Sequence, residues 1–147
     1  MTQKNVTDVL SQLTQAGELC SDEPLFDINH QGQWHYRNSP LPDKFARLFL
    51  SVLHRIDAEY FLITPVEKVK VSVAEHALLI VDYSQTANGE VLLTSSIDSD
   101  HVIKSLDDFV VTDESVHCTL ERAISAKLNR ASFYRFAEHY LLKRDEP

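Results

Sequence analysis

Only three glycines occur in 147 residues. Gly17, Gly32 and Gly89 each fall where a helix cap or a tight turn calls for one. No glycine-rich loop is left to cradle a pyrophosphate, which argues against P-loop and dinucleotide-fold sites, and no nucleophile elbow is present. Cysteine is equally scarce: Cys20 and Cys118 lie far apart without paired spacing and read as reduced structural thiols rather than a disulfide. The longest apolar run is Ala77 to Val81 and the opening MTQKNVTDVL has no apolar core. Neither a membrane span nor a signal peptide is therefore expected, and the expected location is cytoplasmic. Positive charge is also in deficit, with 14 Lys and Arg against 22 Asp and Glu and a net charge of -8, so polyanions such as nucleic acid and acidic membrane surfaces are repelled. What remains is ordinary globular composition, 44% apolar and 24% charged, in a chain long enough to bury about 68–70% of its unfolded surface.

Val6, Val9, Leu10 and Leu13 recur at helical spacing, predicting a first helix from Thr2 to Ala16, loosely held on the outside, with Gly17 as its C-cap. A hairpin follows. Phe26 and Ile28 must share a face with Trp34 and Tyr36, and a three-residue loop, His30-Gln31-Gly32, achieves this by pairing Ile28 with Trp34 and Phe26 with Tyr36. That register also sets Asp27 beside His35 on the outer face. Pro42 opens a helix carrying Phe45, Leu48, Phe49, Val52, Leu53 and Ile56, with Asp43 in its first turn. Tyr60 to Thr64 and Glu67 to Val73 read as strands separated by Pro65. Ala77 to Thr86 and Val91 to Ile97 read as a hairpin turning at Asn88-Gly89.

Ser95 to Ser115 is rich in Ser and Asp and reads as loops with one or two edge strands. Val116 to Leu128 fits both a hairpin and a helical stripe, and the closing helix spans Ser132 to Lys143. An internal echo favours the hairpin. From Phe45 to Phe133, 88 positions on, the same shift places Ile28 on Val116, Tyr36 on Ile124 and Leu53 on Leu141. The expected fold is therefore α+β, an antiparallel bent sheet with a duplicated hairpin-helix module. Residues 1–60 would hold the first helix and first module, and residues 61–147 the central strands and second module.

Seven histidines show neither i, i+4 helical pairing nor a nearby cysteine pair, so no metal site is expected. Asp98-Ser99-Asp100-His101 lacks the glycine and distal Glu of a calcium loop and reads as a solvated acidic loop. Glu67 is harder to place. Alternation puts it on the same face as Val69, Val71 and Val73, where a carboxylate costs several kcal/mol, of order 1–3 or more, unless it is paired or wet. Two readings stay open: a strand end fraying into solvent, or a carboxylate facing a cleft between the two modules with an Arg or a ligand as partner, Arg130 being a candidate.

Trp34-His35-Tyr36 with Ser39-Pro40-Leu41, then Phe45-Ala46-Arg47-Leu48-Phe49, then Tyr60 to Val69 (YFLITPVEKV), then Leu128-Asn129-Arg130 and Phe133-Tyr134, resemble the bacterial domain-of-unknown-function family numbered 1285. The likeness runs from Phe26 to Leu142. It implies a compact α+β fold with a duplicated motif, a C-terminal part superficially similar to pleckstrin-homology domains, and a ligand-binding or signalling role. The family commonly carries a Gly-containing turn where this chain has Arg122-Ala123. Carried over residue by residue, the resemblance implies a cleft of Trp34, Tyr36, Arg47, Thr64, Glu67, Lys68, Asn129, Arg130 and Tyr134. The leading expectation is a non-enzymatic module, without cofactor or metal, that binds a small anionic or nucleotide-like ligand between its halves and reports it in signalling. Lys68 and Arg130 would meet the charge and an aromatic side chain would stack. A protein-interaction adaptor using a sheet edge and the acidic stretch Asp98 to Glu114 is the alternative. A hydrolase or transferase with Glu67 as general base comes third, since no second positioned group is evident.

Overall fold

A computed structural model of the chain describes residues 6–15 and 24–145. The Gly17 cap and Cys20 lie outside the described residues. The first helix, α1 (Val6–Gln15), is not loosely held, because Leu10 is completely buried and anchors it to the core. Strands β1 (Phe26–Ile28) and β2 (Trp34–Tyr36) pair in the expected register, Ile28 opposite Trp34 and Phe26 opposite Tyr36. The loop closes with Asn29 and Gln33 hydrogen bonded and Gly32 left-handed at φ 73°. A short β3 (Ser39–Pro40) extends the meander.

The helix opened by Pro42 is shorter than its apolar stripe suggests. It ends as α2 (Asp43–Leu50), and Leu53 to Ile56 becomes strand β4. Leu53 faces inward in either conformation. Pairing decides: β4 forms a hairpin with β5 (Glu59–Ile63), Leu53 opposite Leu62 and Ile56 opposite Glu59, across a left-handed Asp57-Ala58 turn. Strand β6 (Lys68–Val73) completes this sheet with Val71 inward and Lys68, Lys70 and Ser72 outward. Residues 61–73, grouped above with the C-terminal part, thus belong to the first sheet, because β6 lies between β5 and β1.

The second sheet holds β7 (Leu78–Gln85), β8 (Val91–Ser95), β9 (Asp100–Ile103), β10 (Val110–Val111), β11 (Val116–Thr119) and β12 (Ser125–Leu128), followed by helix α3 (Arg130–Asp145). Val116 to Leu128 is a hairpin, with a single 3-10 turn at Glu121–Ala123 between its strands. The strand orders are β3-β2-β1-β6-β5-β4 and β10-β11-β12-β7-β8-β9. Each is two three-stranded meanders joined by a parallel seam between the first and last strand of the six. Ile28 lies opposite Val73 in one seam and Ile80 opposite Leu128 in the other. The hydrogen bond leaving each seam repeats as well, from Ala74 N–H to Ile28 O at 2.9 Å and from Asn129 N–H to Ile80 O at 2.7 Å.

The chain is therefore α+β and duplicated, and the repeated unit is the six-stranded sheet. A shift of 88 residues superposes hairpins that hold different places in the two units, strands one and two against strands five and six. Alternating apolar residues mark any half-buried hairpin, so the superposition follows without equivalence.

A single apolar cluster runs through both units and includes Phe26, Trp34, Phe49, Leu62, Leu93, Ile124 and Phe136. The Phe26 and Phe49 rings meet edge-on at 5.3 Å. Cys118 belongs to this cluster, 1% exposed, and burial, aided by Asp108, pushes its thiol pKa up to about 12. Iodoacetamide should therefore leave Cys118 unmodified in the native protein and alkylate it only after unfolding; peptide mapping that finds native Cys118 alkylated as fast as a free thiol contradicts this. Among the described residues no helix is long and apolar enough to cross a membrane.

Candidate functional site at the junction of the two sheets

Strand alternation decides what the second sheet offers to the first. Cys118 and Ala126 lie opposite each other and point into the core, so His117 opposite Lys127, and Thr119 opposite Ser125, share the other face. That face meets the first unit. The buried Tyr60 hydroxyl accepts the Ser125 N–H at 3.0 Å, and Gly32 presses against Leu79 so closely that a Cβ there would lie 3.1 Å from the Leu79 backbone nitrogen.

The connection between the units, residues 74–77, crosses this junction. His76 lies with its ring 5.2 Å from that of His117 and its Nδ1 against Ser125 Oγ. Beside it, Lys127 Nζ donates to Glu75 Oε1 at 2.9 Å. Arg55 from β4 and His30 from the first hairpin loop stand near enough for their charge to be felt by His76 and Glu75 respectively. Four basic or titratable side chains, His30, Arg55, His117 and Lys127, thus surround the neighbouring pair Glu75 and His76: Lys127 acts on both, His30 on Glu75, and Arg55 and His117 on His76.

Burial lowers the pKa of His76, and His117, Lys127 and Arg55 add to that while Glu75 opposes it. The hydrogen bond from Lys127 holds Glu75 below the usual carboxylate range. His54 on β4 is also lowered, by burial first and then by Arg122. His117 Nδ1 is buried and has no hydrogen-bond partner among the described residues. The junction therefore holds the His76 imidazole neutral beside fixed cations, and an incoming anion would favour its protonation. Among the described residues no group of three or more His, Cys, Asp or Glu is arranged to hold a metal ion.

The depressed histidines predict the sign of a pH effect on stability. Their unfolded-state value is 6.5. As pH falls through that value, the unfolded chain takes up protons that folded His54 and His76 refuse, so stability is full above it and declines toward their lower folded values. Melting curves should show Tm falling across this window, and His76→Gln should flatten the fall. An unchanged slope in that variant would count against the assignment.

The residues singled out from the sequence occupy several places. Trp34 is buried in the core, with its Nε1 unpartnered among the described residues. Tyr36 packs on Phe26, and Arg37 lies over its ring at 5.6 Å. Arg47 reaches across the units to donate to Ile97 O at 2.9 Å. Thr64 Oγ1 accepts the N–H groups of Val66 and Glu67 and so builds the β5–β6 turn. Glu67 neither frays away nor meets Arg130; its half-buried carboxylate accepts a 2.7 Å hydrogen bond from Ser11 of α1. Lys68 lies over Phe61 at 4.4 Å. Asn129 Oδ1 accepts the Ser132 N–H at 2.9 Å at the start of α3, where Arg130 donates to the Tyr134 hydroxyl at 3.3 Å.

The junction cluster was not legible as a cluster. His117 and Lys127 oppose each other once the hairpin is accepted, but His30, Arg55 and His76 join them only through the packing of one sheet on the other.

Fold and junction together define an α+β protein made of two copies of one six-stranded sheet topology around a shared core. The N-terminal domain of DUF1285, a domain of unknown function, matches residues 17–76, ending where the first unit ends. A DUF1285 family protein from Shewanella baltica OS155, solved by crystallography, is similar at 47% identity with a TM-score of 0.74, over 80% of this chain and 94% of that one. The protein belongs to the DUF1285 family. A second DUF1285 family protein, from Silicibacter pomeroyi DSS-3, shares the fold at 20% identity and a TM-score of 0.66, over 93% of this chain and 85% of that one. No curated protein matches the chain.

Proposed function

We propose that the protein binds a small anionic, nucleotide-like ligand at the junction of its two sheets. The observation that carries this reading is the gathering of His30, Arg55, His117 and Lys127 around the neighbouring pair Glu75 and His76, in a chain whose net charge is -8. Positive potential concentrated in an otherwise acidic protein is a local feature that the bulk charge opposes. Lys127 and Arg55 supply permanent charge, and His76 supplies a donor that becomes charged when an anion arrives. Residues from both sheets contribute, so a ligand seated there would change how firmly the sheets hold together, which suits a signalling role.

Pyrophosphate and adenosine diphosphate are suitable probes. A ligand that binds only the native state raises Tm, by about 2.7 kcal/mol of stabilisation at a hundred times Kd. The expected result is a concentration-dependent rise in Tm accompanied by an upward shift of the His76 imidazole pKa followed by NMR, both lost in Lys127→Gln. Probes that move neither Tm nor His76 overturn the reading.

The adaptor alternative draws support from a different feature. Val102 on β9 and Val110 and Val111 on β10 are 54%, 52% and 43% exposed, and these strands form the two edges of the second sheet. Partner capture abolished by Val110→Lys, in a variant that retains any probe-induced rise in Tm, would favour it.

A further inference from the structure

The stretch Asp98-Ser99-Asp100-His101 is not a fully solvated acidic loop, because His101 on β9 is buried with a side chain only 6% exposed. Its two ring nitrogens are both engaged. Nε2 lies 2.8 Å from Ser99 Oγ, and Nδ1 lies 3.2 Å from Glu121 Oε1. An ionised carboxylate only accepts, so Nδ1 carries the proton and Nε2 receives the Ser99 hydroxyl proton. With the Ser99 O–H committed, the buried Ser95 hydroxyl donates to Ser99 Oγ across 2.5 Å, while Ser95 Oγ accepts the Ser99 N–H at 3.1 Å. Every donor in the chain Ser95, Ser99, His101, Glu121 then has one consistent direction.

The backbone holds these groups from two sides. The β8–β9 turn, closed by left-handed Asp98 at φ 64°, returns Ser99 over Ser95. Glu121 sits on the β11–β12 turn, whose next residue, Arg122, is pinned to the first unit by hydrogen bonds to Leu50 O and Leu53 O.

We propose that Ser99 is a nucleophile, activated by His101 with Glu121 as positioning residue, that accepts an acyl group from a neutral activated ester. Ser99 Oγ attacks the carbonyl carbon as its proton passes to His101 Nε2, and Glu121 stabilises the imidazolium through Nδ1–H. Collapse of the tetrahedral adduct breaks the bond to the leaving alkoxide, which takes the proton from Nε2, leaving an acyl ester on Ser99. Water attacks that ester by the same route in reverse, regenerating the hydroxyl and releasing a carboxylic acid. The exposed carboxylates of Asp98 and Asp100 flank Ser99, and with Glu121 they disfavour donors carrying negative charge. This site is separate from the anion-binding junction and does not depend on it.

The test is labelling of the intact protein with a neutral fluorophosphonate probe, with the modified peptide located by mass spectrometry. The expected result is one adduct, on Ser99, absent from Ser99→Ala and formed about 10²–10⁴-fold more slowly by His101→Ala. Glu121→Gln should shift the pH at which labelling is half-maximal as well as its rate, which a purely structural carboxylate would not do. 4-Nitrophenyl acetate should acylate the protein at least about tenfold faster than its succinyl half-ester counterpart if the flanking carboxylates repel charge. Circular dichroism melts confirm that each variant is folded. Wild-type labelling no greater than that of folded Ser99→Ala, or an adduct on Ser95, overturns the proposal; equal rates for the two esters overturn the substrate class.

Discussion

Replacing Gly32 with valine is expected to destabilise the protein by about 2–5 kcal/mol, a loss made of two parts. A side chain held at φ 73° costs about 1–2 kcal/mol for an L-residue. The new Cβ would also stand 3.1 Å from Leu79 N and Leu79 Cβ on β7 and from Ser96 Oγ in the β8–β9 turn, and such overpacking costs about 1–3 kcal/mol more. Gly89→Ala separates the parts. Gly89 is also left-handed, at φ 90°, yet nothing lies within 4 Å of an added Cβ, so only the conformational cost applies. Chemical denaturation of both variants gives the contact cost by difference. Equal losses at the two positions would mean that the sheets do not meet at Gly32 as described.

Arg122→Ala is the second substitution with a large expected effect. The guanidinium donates to Leu53 O at 2.8 Å and to Leu50 O at 2.9 Å, carbonyls left open where α2 ends and β4 begins. Hydrogen bonds from a charged group contribute about 1.5–3 kcal/mol each, and the side chain is 27% exposed, which reduces their sum to about 2–4 kcal/mol. For a chain of this length that lowers Tm by roughly 5–15 °C. Arg47→Ala is the control. It removes one part-buried hydrogen bond, to Ile97 O, made by an otherwise exposed side chain, and should cost about 1 kcal/mol. The His54 pKa should also rise in Arg122→Ala, since the neighbouring positive charge is gone, while burial continues to hold it below its usual value. A loss no larger than that of Arg47→Ala would show that water satisfies the two carbonyls instead.

Arg122 and Ala123 both take left-handed backbone angles, φ 57° and 62°, at a turn that contains no glycine. Strain of this kind persists where the surroundings over-determine it, and the two carbonyl contacts of Arg122 do so here.

How far residues reveal structure differs from element to element for physical reasons. The β1–β2 register was readable because two alternating apolar pairs admit one loop length, and Gly32 sits at its left-handed position. The end of α2 was not, because Leu53 and Ile56 satisfy a helical stripe as well as a strand, and pairing with β5 settles the matter. Duplication showed itself in the wrong frame: the true correspondence lies in strand order and in the bonds Ala74 to Ile28 and Asn129 to Ile80, which side-chain identity does not encode. For Glu67 the alternation left two readings open, and its hydrogen-bond donor Ser11 lay 56 positions away on a separate helix. The same limit hid His101, whose partner Glu121 comes from another turn of the sheet.

Each parallel seam joins the first strand of a unit to its last, Phe26 to Val71 in one and Leu78 to Ala126 in the other. During synthesis, a meander can form as soon as it leaves the ribosome, but neither sheet can close until its sixth strand has emerged. The first sheet closes with β6 before the second has begun, whereas the second must await β12, about 50 residues after β7 begins. Loop closure on that scale is a slow step compared with hairpin formation. Until it is complete, β1 and β7 present unpaired edges, so the interval before each seam forms is when the nascent chain is most prone to pair with a neighbour.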